Sequence, residues 1–127
     1  MDREAFARWL ADYGAAWEGR DPEAAAQLFT PDALYYWTPF EAPKRGRQGI
    51  AEAWGEATSG QTEIHFRSEI LAVAGGRAWC RWWCDFTRLA TGVQVKLDGI
   101  FQCDFTAGGL CSEFREWWHA EETPAPG

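Results

Sequence analysis

A tyrosine on the apolar stripe of a helix can bury its ring and still donate from its hydroxyl, and Tyr13 is such a residue. Two roles fit it. It can polarise the carbonyl of a bound ligand, or it can be a core residue bonded to a backbone carbonyl. His65 and His119 are the only histidines, and so the only side chains that ordinarily titrate near neutrality. His65 joins Tyr13 as a candidate catalytic residue, although strand alternation turns it outward. His119 stands near the end of the last strand. Asp98 and Glu116 offer acid–base chemistry, since a buried carboxyl holds its proton to higher pH. Alternation sets Asp98 outside, where pairing with Arg81 across a hairpin is its plainer role, and Glu116 reads as a surface or interface charge. Glu113 and Arg115, if inward, must pair with each other or with a polar ligand, because lone buried charges are costly. Arg115 would suit a ligand carboxylate.

The four cysteines suggest neither a metal site nor a disulfide. Cys80 and Cys84 share a strand, where four residues span about 13 Å. Cys103 and Cys111 lack a CxxC partner. No metal or cofactor is expected.

The remaining chemical signal is aromatic bulk: nine Trp, eight Phe and three Tyr in 127 residues. Rigid rings of this size either fill a thick core or wall a slot for a small apolar or ring-bearing molecule. Trp17, Trp37, Trp54, Phe66, Trp82, Phe101 and Trp117 are the expected wall.

These residues need elements to carry them. Phe6, Leu10, Tyr13 and Trp17 recur at helical spacing and predict a helix from Arg3 to Glu18. Asp21-Pro22-Glu23 starts a second, with Asp as N-cap and Pro in the first turn. It ends at Thr30-Pro31. A short strand covers Ala33 to Trp37, and a third helix covers Gln48 to Thr58. Four long strands follow, 62–74, 77–89, 93–105 and 110–119, punctuated by Gly75-Gly76, Thr91-Gly92 and Gly108-Gly109. The order is α-α-β-α-β-β-β-β. This is an α+β fold in which a cone-like, curved antiparallel sheet of four long strands and a short one wraps three N-terminal helices. Residues 1–122 form one domain, and 123–127 read as a disordered tail.

Period-two alternation assigns the faces. Val95, Leu97, Gly99, Phe101 and Cys103 turn inward, as do Cys80, Trp82, Cys84 and Phe86, and Ile64, Phe66, Ser68 and Ile70. The last strand gives two answers. Apolarity favours Leu110, Phe114 and Trp118 inward, whereas alignment to the family named below favours Glu113, Arg115 and Trp117. The alignment places Trp117 inward, and a bulge would reconcile the two phases. Trp79, Trp83 and Ile100 are left on the convex face among charges, a composition suited to association.

The formal charge is −7, against a nucleic-acid partner; the one basic cluster, Lys44, Arg45 and Arg47, reads as a solvated loop entering a helix. The N-terminus lacks the apolar core of a signal peptide, and no apolar run is long enough for a membrane span. A reducing cytoplasmic setting is the expectation.

The order of elements resembles the nuclear transport factor 2-like superfamily, and within it the SnoaL-like polyketide cyclase branch. The resemblance spans about residues 3 to 120. It rests on Tyr13 to Asp21, Leu28-Phe29-Thr30-Pro31-Asp32-Ala33, Arg45-Gly46-Arg47-Gln48-Gly49-Ile50, Leu97-Asp98-Gly99-Ile100-Phe101, and Phe114-Arg115-Glu116-Trp117-Trp118. It implies a cone pocket and a homodimer formed through the convex face. Ketosteroid isomerase, a relative of known mechanism, works with a tyrosine, a protonated Asp and an Asp base. Tyr13 matches its tyrosine, but the base position falls on Trp37 and the second Asp on Phe101. Steroid isomerisation by that mechanism is therefore rejected. Two functions stand: a cofactor-free isomerase, cyclase or dehydratase acting on an apolar carbonyl compound, or a non-catalytic ligand-binding or dimerisation module that lacks the base.

Overall fold

The computed structural model describes residues 1–126. Helix α1 runs over Arg3–Glu18, and Asp2 caps it by accepting from the Ala5 N–H at 2.8 Å. Helix α2, Pro22–Ala26, is capped in the same way by Asp21, which accepts from the Ala24 N–H at 3.0 Å. Strand β1 covers Phe29–Tyr36 and β2 only Lys44–Arg45, followed by α3 over Gly46–Thr58. Four long strands complete the chain: β3 Gln61–Ala74, β4 Arg77–Arg88, β5 Gln94–Phe105 and β6 Cys111–Thr123.

The class is α+β, with one curved six-stranded sheet ordered β2-β1-β6-β5-β4-β3 and the helices at its concave side. Several particulars differ from the sequence expectation. The second helix stops at Ala26, and Phe29 and Thr30 already belong to β1. Pro31 is tolerated there because the ladder to β6 is interrupted between Phe29 and Leu34. A sixth strand, β2, pairs antiparallel with β1. The sheet is also not wholly antiparallel, since β1 runs parallel to β6. Strand β6 continues through Thr123, into the stretch read as a tail. Pro124–Pro126 have no regular structure, and position 127 lies outside the described residues.

On β4 and β5 the alternation follows the sequence reading. Cys80, Trp82, Cys84 and Phe86 are buried on β4, and Val95, Phe101 and Cys103 on β5. The last strand takes its apolar phase. Phe114 and Glu116 are buried, and Trp118 shares their face, while Trp117 is 44% exposed on the convex side opposite Ile100. The inward placement of Glu113, Arg115 and Trp117 is thus corrected. A bulge at Ser112 does exist, but it sits between the Phe105–Cys111 and Asp104–Glu113 pairs, before the residues in question.

Gly99 fixes how close the inner side chains can come. It lies between Trp82 and Trp118 in the sheet register. A Cβ there would run into the Trp117 carbonyl oxygen and stand 2.8 Å from Trp82 Nε1 and 2.9 Å from Trp118 Cβ. Only a glycine lets both indoles cover this point.

One half of the cone is filled solid. Phe6, Trp9, Phe29, Phe105 and Phe114 pack there, with Trp9 and Phe105 edge to face at 5.4 Å and Trp9 and Phe29 at 5.7 Å. Cys103 and Cys111 close this end. The other half stays open.

Candidate functional site

The open half is a cavity of about 350 Å³, room for a small ring compound. Its walls come from every layer. Helix α1 gives Tyr13 and Trp17, and β1 and its following residue give Tyr35 and Trp37. Helix α3 gives Trp54, Ala57 and Thr58. From the sheet come Trp82, Phe86, Val95 and Leu97, then Glu116, Trp118 and Ala120. Gln61 and Arg88 complete the lining.

The alternation of β1 brings Tyr35 to the inner face, and the turn of α1 brings Tyr13 to meet it. Their hydroxyls lie 2.7 Å apart, buried. One hydroxyl donates to the other, which leaves a single proton free for a third partner. Burial pushes the Tyr13 phenol well above its ordinary range, and the charges of Tyr35 and Glu116 add to it. Burial raises Tyr35 likewise, followed by the charge of Glu116. Both are therefore neutral donors at any physiological pH.

Glu116 is the third polar group. It is 9% exposed, stands opposite Phe101 in the sheet and makes no side-chain hydrogen bond or ion pair within the described residues. Burial alone raises its carboxyl well above the usual range. A buried carboxyl in an apolar cavity without a partner is the form in which an acid side chain keeps a transferable proton.

Of the residues marked as wall, Trp17, Trp37, Trp54 and Trp82 line the cavity. Phe66 and Phe101 pack one layer behind it, with ring centroids 5.5 and 5.1 Å from that of Tyr13. Arg115 lies on the convex face, 3.3 Å from the Glu113 carboxylate and 4.0 Å above the Tyr36 ring, so it is already partnered away from the cavity. Trp117 is also convex. His65 lies opposite Asp85 on the outer face of the β3–β4 ladder and does not reach the cavity. Asp98 makes the foreseen pair with Arg81, which the structure shows as two contacts at 2.8 and 3.2 Å, and they hold its carboxyl below the usual range.

Glu116, Tyr35 and Trp118 were not expected in the cavity. The signal for Glu116 and Trp118 was present: Phe114 and Trp118 set an even-numbered apolar phase that carries Glu116 inward with them. Tyr35 had a weaker signal, because Tyr35 and Tyr36 are adjacent and apolarity cannot rank them.

At the mouth the groups are already engaged. Trp17 Nε1 donates to Gln61 Oε1 at 2.9 Å, and Trp118 Nε1 to the Trp37 carbonyl at 3.0 Å. Arg88 reaches Glu122 Oε1 through Nη2 at 2.6 Å and Nε at 3.2 Å. The Thr58 hydroxyl donates to the Trp54 carbonyl at 2.7 Å. Among the described residues no cluster of His, Cys, Asp and Glu has the arrangement of a metal site, and no helix is long and apolar enough to cross a membrane.

The family model of the SnoaL-like domain matches residues 4–114. No curated protein matches significantly. Among solved structures the chain is similar to SalBIII, an epoxide hydrolase/cyclase-like enzyme with a role in pyran ring formation in the polyether salinomycin, at 17% identity and a TM-score of 0.80 over 93% of both chains. It is also similar to a Bacillus subtilis putative isomerase, at 16% identity and TM-score 0.79 over 94% of this chain and 90% of that one. A third is RV0760c of Mycobacterium tuberculosis, at 10% identity and TM-score 0.83 over 97% and 99%. At these identities the likeness concerns the fold.

Proposed function

Because the chain belongs to the SnoaL-like domain family, we propose that it binds a small, mostly apolar, oxygen-bearing molecule in its cone and moves a proton on it with Glu116, in an isomerisation, cyclisation or dehydration. The observation that carries this reading is the unpartnered, buried Glu116 carboxyl in the cavity that holds the Tyr13–Tyr35 pair. In the isomerisation the ionised carboxylate takes a proton from the carbon next to a carbonyl. The free tyrosine proton bonds the developing enolate oxygen. The carboxyl then returns its proton at another carbon, and the base is regenerated. In a dehydration the carboxyl, having taken the proton next to the carbonyl, gives it to the departing hydroxyl, so that a C–H and a C–O bond break, a C=C bond forms and water leaves; in a cyclisation the neutral carboxyl protonates an opening epoxide oxygen while a hydroxyl of the same substrate attacks the carbon and returns its own proton to the carboxylate. That oxygen chemistry would parallel the description of SalBIII as epoxide hydrolase/cyclase-like.

A non-catalytic binding module is the second reading, favoured by Trp37 and Phe101 at the positions where ketosteroid isomerase carries its two aspartates. Incubation with cyclohex-3-en-1-one in deuterated buffer separates the two. The enzyme reading expects deuterium at the α-carbon and growth of the conjugated enone absorbance, both lost in Glu116→Gln. Binding of the ketone by the wild type with no exchange favours the module.

We also propose a homodimer through the convex face, where Trp117 is exposed and Trp83 lies between the Arg67 and Arg81 guanidiniums at 4.9 and 4.7 Å. A monomer by light scattering at every concentration would remove it. The four buried free thiols suit a reducing, cytoplasmic setting.

A further inference from the structure

Five of the nine tryptophans line this one cavity: Trp17, Trp37, Trp54, Trp82 and Trp118. They do not form a flat stack. Trp17 stands at 64° to Trp54 and at 47° to Trp82, and the Tyr35 ring at 71° to Trp37. Rings set at such angles enclose a space from several sides, and each ring face carries partial negative charge. The cavity's one acid, Glu116, is nine-tenths buried and has no partner. Its one cation, Arg88, is already held by Glu122 at the rim.

We infer that the cavity is built for an organic monocation, a ring or alkyl compound bearing a tertiary or quaternary ammonium, held by the tryptophan box with Glu116 as counter-ion. A neutral hydrocarbon guest would satisfy the rings but leave the carboxyl alone. A carboxylate guest would meet Glu116 as a like charge. A cation satisfies the ring faces and the carboxylate together.

The alkylated nitrogen follows from the lining, in which ring faces and alkyl groups outnumber acceptors. A primary ammonium has three N–H donors to satisfy. Gln61 Oε1 already accepts from Trp17, and the few oxygens left, those of Glu116, Thr58 and the two tyrosines, are set among walls that are otherwise aromatic or aliphatic. Methyl groups on nitrogen ask for no acceptors and present the weakly hydrated surface that an aromatic box desolvates cheaply. The net charge of −7 also favours approach of a cation over an anion.

This inference rests on the cavity being a ligand site and not on any reaction in it. Tryptophan fluorescence titration at pH 8 with phenyltrimethylammonium and with tert-butylbenzene, which replaces the charged nitrogen by carbon, tests it. The expected result is binding of the cation about tenfold or more tighter than its neutral twin. In Glu116→Gln the two should fall within about threefold of each other. In the wild type the preference should shrink on going to pH 4.5, where burial keeps Glu116 protonated. Equal or tighter binding of tert-butylbenzene by the wild type would overturn the cation inference and leave the ligand site standing. So would a preference unmoved by Glu116→Gln. If neither probe binds, the cavity reading fails as well.

Discussion

Replacing Glu116 by Gln keeps the shape of the side chain and removes its ability to ionise, and the consequence for stability has a definite sign. The folded carboxyl titrates well above its ordinary value because burial disfavours the charge and no partner offsets it. Below about pH 4.3, the ordinary glutamate value, folded and unfolded chains both hold the proton and the group adds no pH-dependent cost. As pH rises above this the unfolded chain releases the proton and the folded chain keeps it. Stability therefore falls, until pH passes the folded value and the loss becomes constant. Leaving a buried polar group unsatisfied costs about 1–3 kcal/mol, and a charge costs more. Gln escapes the charged part of this cost. For 127 residues the unfolding entropy makes 1 kcal/mol worth about 4 °C in Tm. Glu116→Gln should thus melt within about 2 °C of wild type at pH 4 and about 4 °C or more above it at pH 8. Scanning calorimetry of both proteins across this range reads the difference directly, since the other carboxyls cancel. A Gln variant no more stable than wild type at pH 8, or a difference that does not change with pH, would mean that the carboxylate has a partner, and the proton-carrier argument would fall with it.

Gly99→Ala should destabilise by about 3 kcal/mol or more, the upper end for overpacking, because the added methyl meets a backbone carbonyl that cannot swing aside. Urea unfolding would show it, and a loss under 1 kcal/mol would refute the close approach. Tyr13→Phe and Tyr35→Phe should each cost about 1–2 kcal/mol by orphaning the partner hydroxyl, and the double variant clearly less than their sum. Additive losses would show that the two hydroxyls do not rely on each other. The four cysteines are buried, and burial pushes the Cys80 thiol up to about 12 and also raises Cys84 and Cys103. A disulfide reagent at pH 8 should therefore react with none of them until guanidinium unfolds the chain; rapid labelling of the native protein would contradict this.

What was legible in the sequence was local. The stripe of Phe6, Leu10, Tyr13 and Trp17 and the cap Asp21 are set by neighbours within a few residues, and α1 has the bounds its spacing implies. Alternation on β4 and β5 was equally readable, because Arg81, Asp85, Asp98 and Gln102 mark the wet face. The cavity wall was half legible. Trp17, Trp37, Trp54 and Trp82 line it, while Phe66 and Phe101 are packed behind. Periodicity gives a face and cannot say how far along the cone the packing stops. The last strand departs from expectation because alignment with distant relatives runs against the Phe114 and Trp118 phase, the phase that also carries Glu116 inward. The start of β1 was hidden by Pro31 and Asp32. Its parallel pairing with β6 joins residues 29–36 to 111–115, a separation that no local pattern encodes.

That pairing has a kinetic consequence. Tyr13 and Glu116 belong to opposite ends of the chain, and the wall between them closes only when β6 docks beside β1. Contacts of such sequence separation are slow to form, since loop closure must precede any gain from them. The guest chamber is therefore among the last features to mature during folding. A nascent or truncated chain lacking β6 has every helix and most of the sheet, yet no compartment to fill.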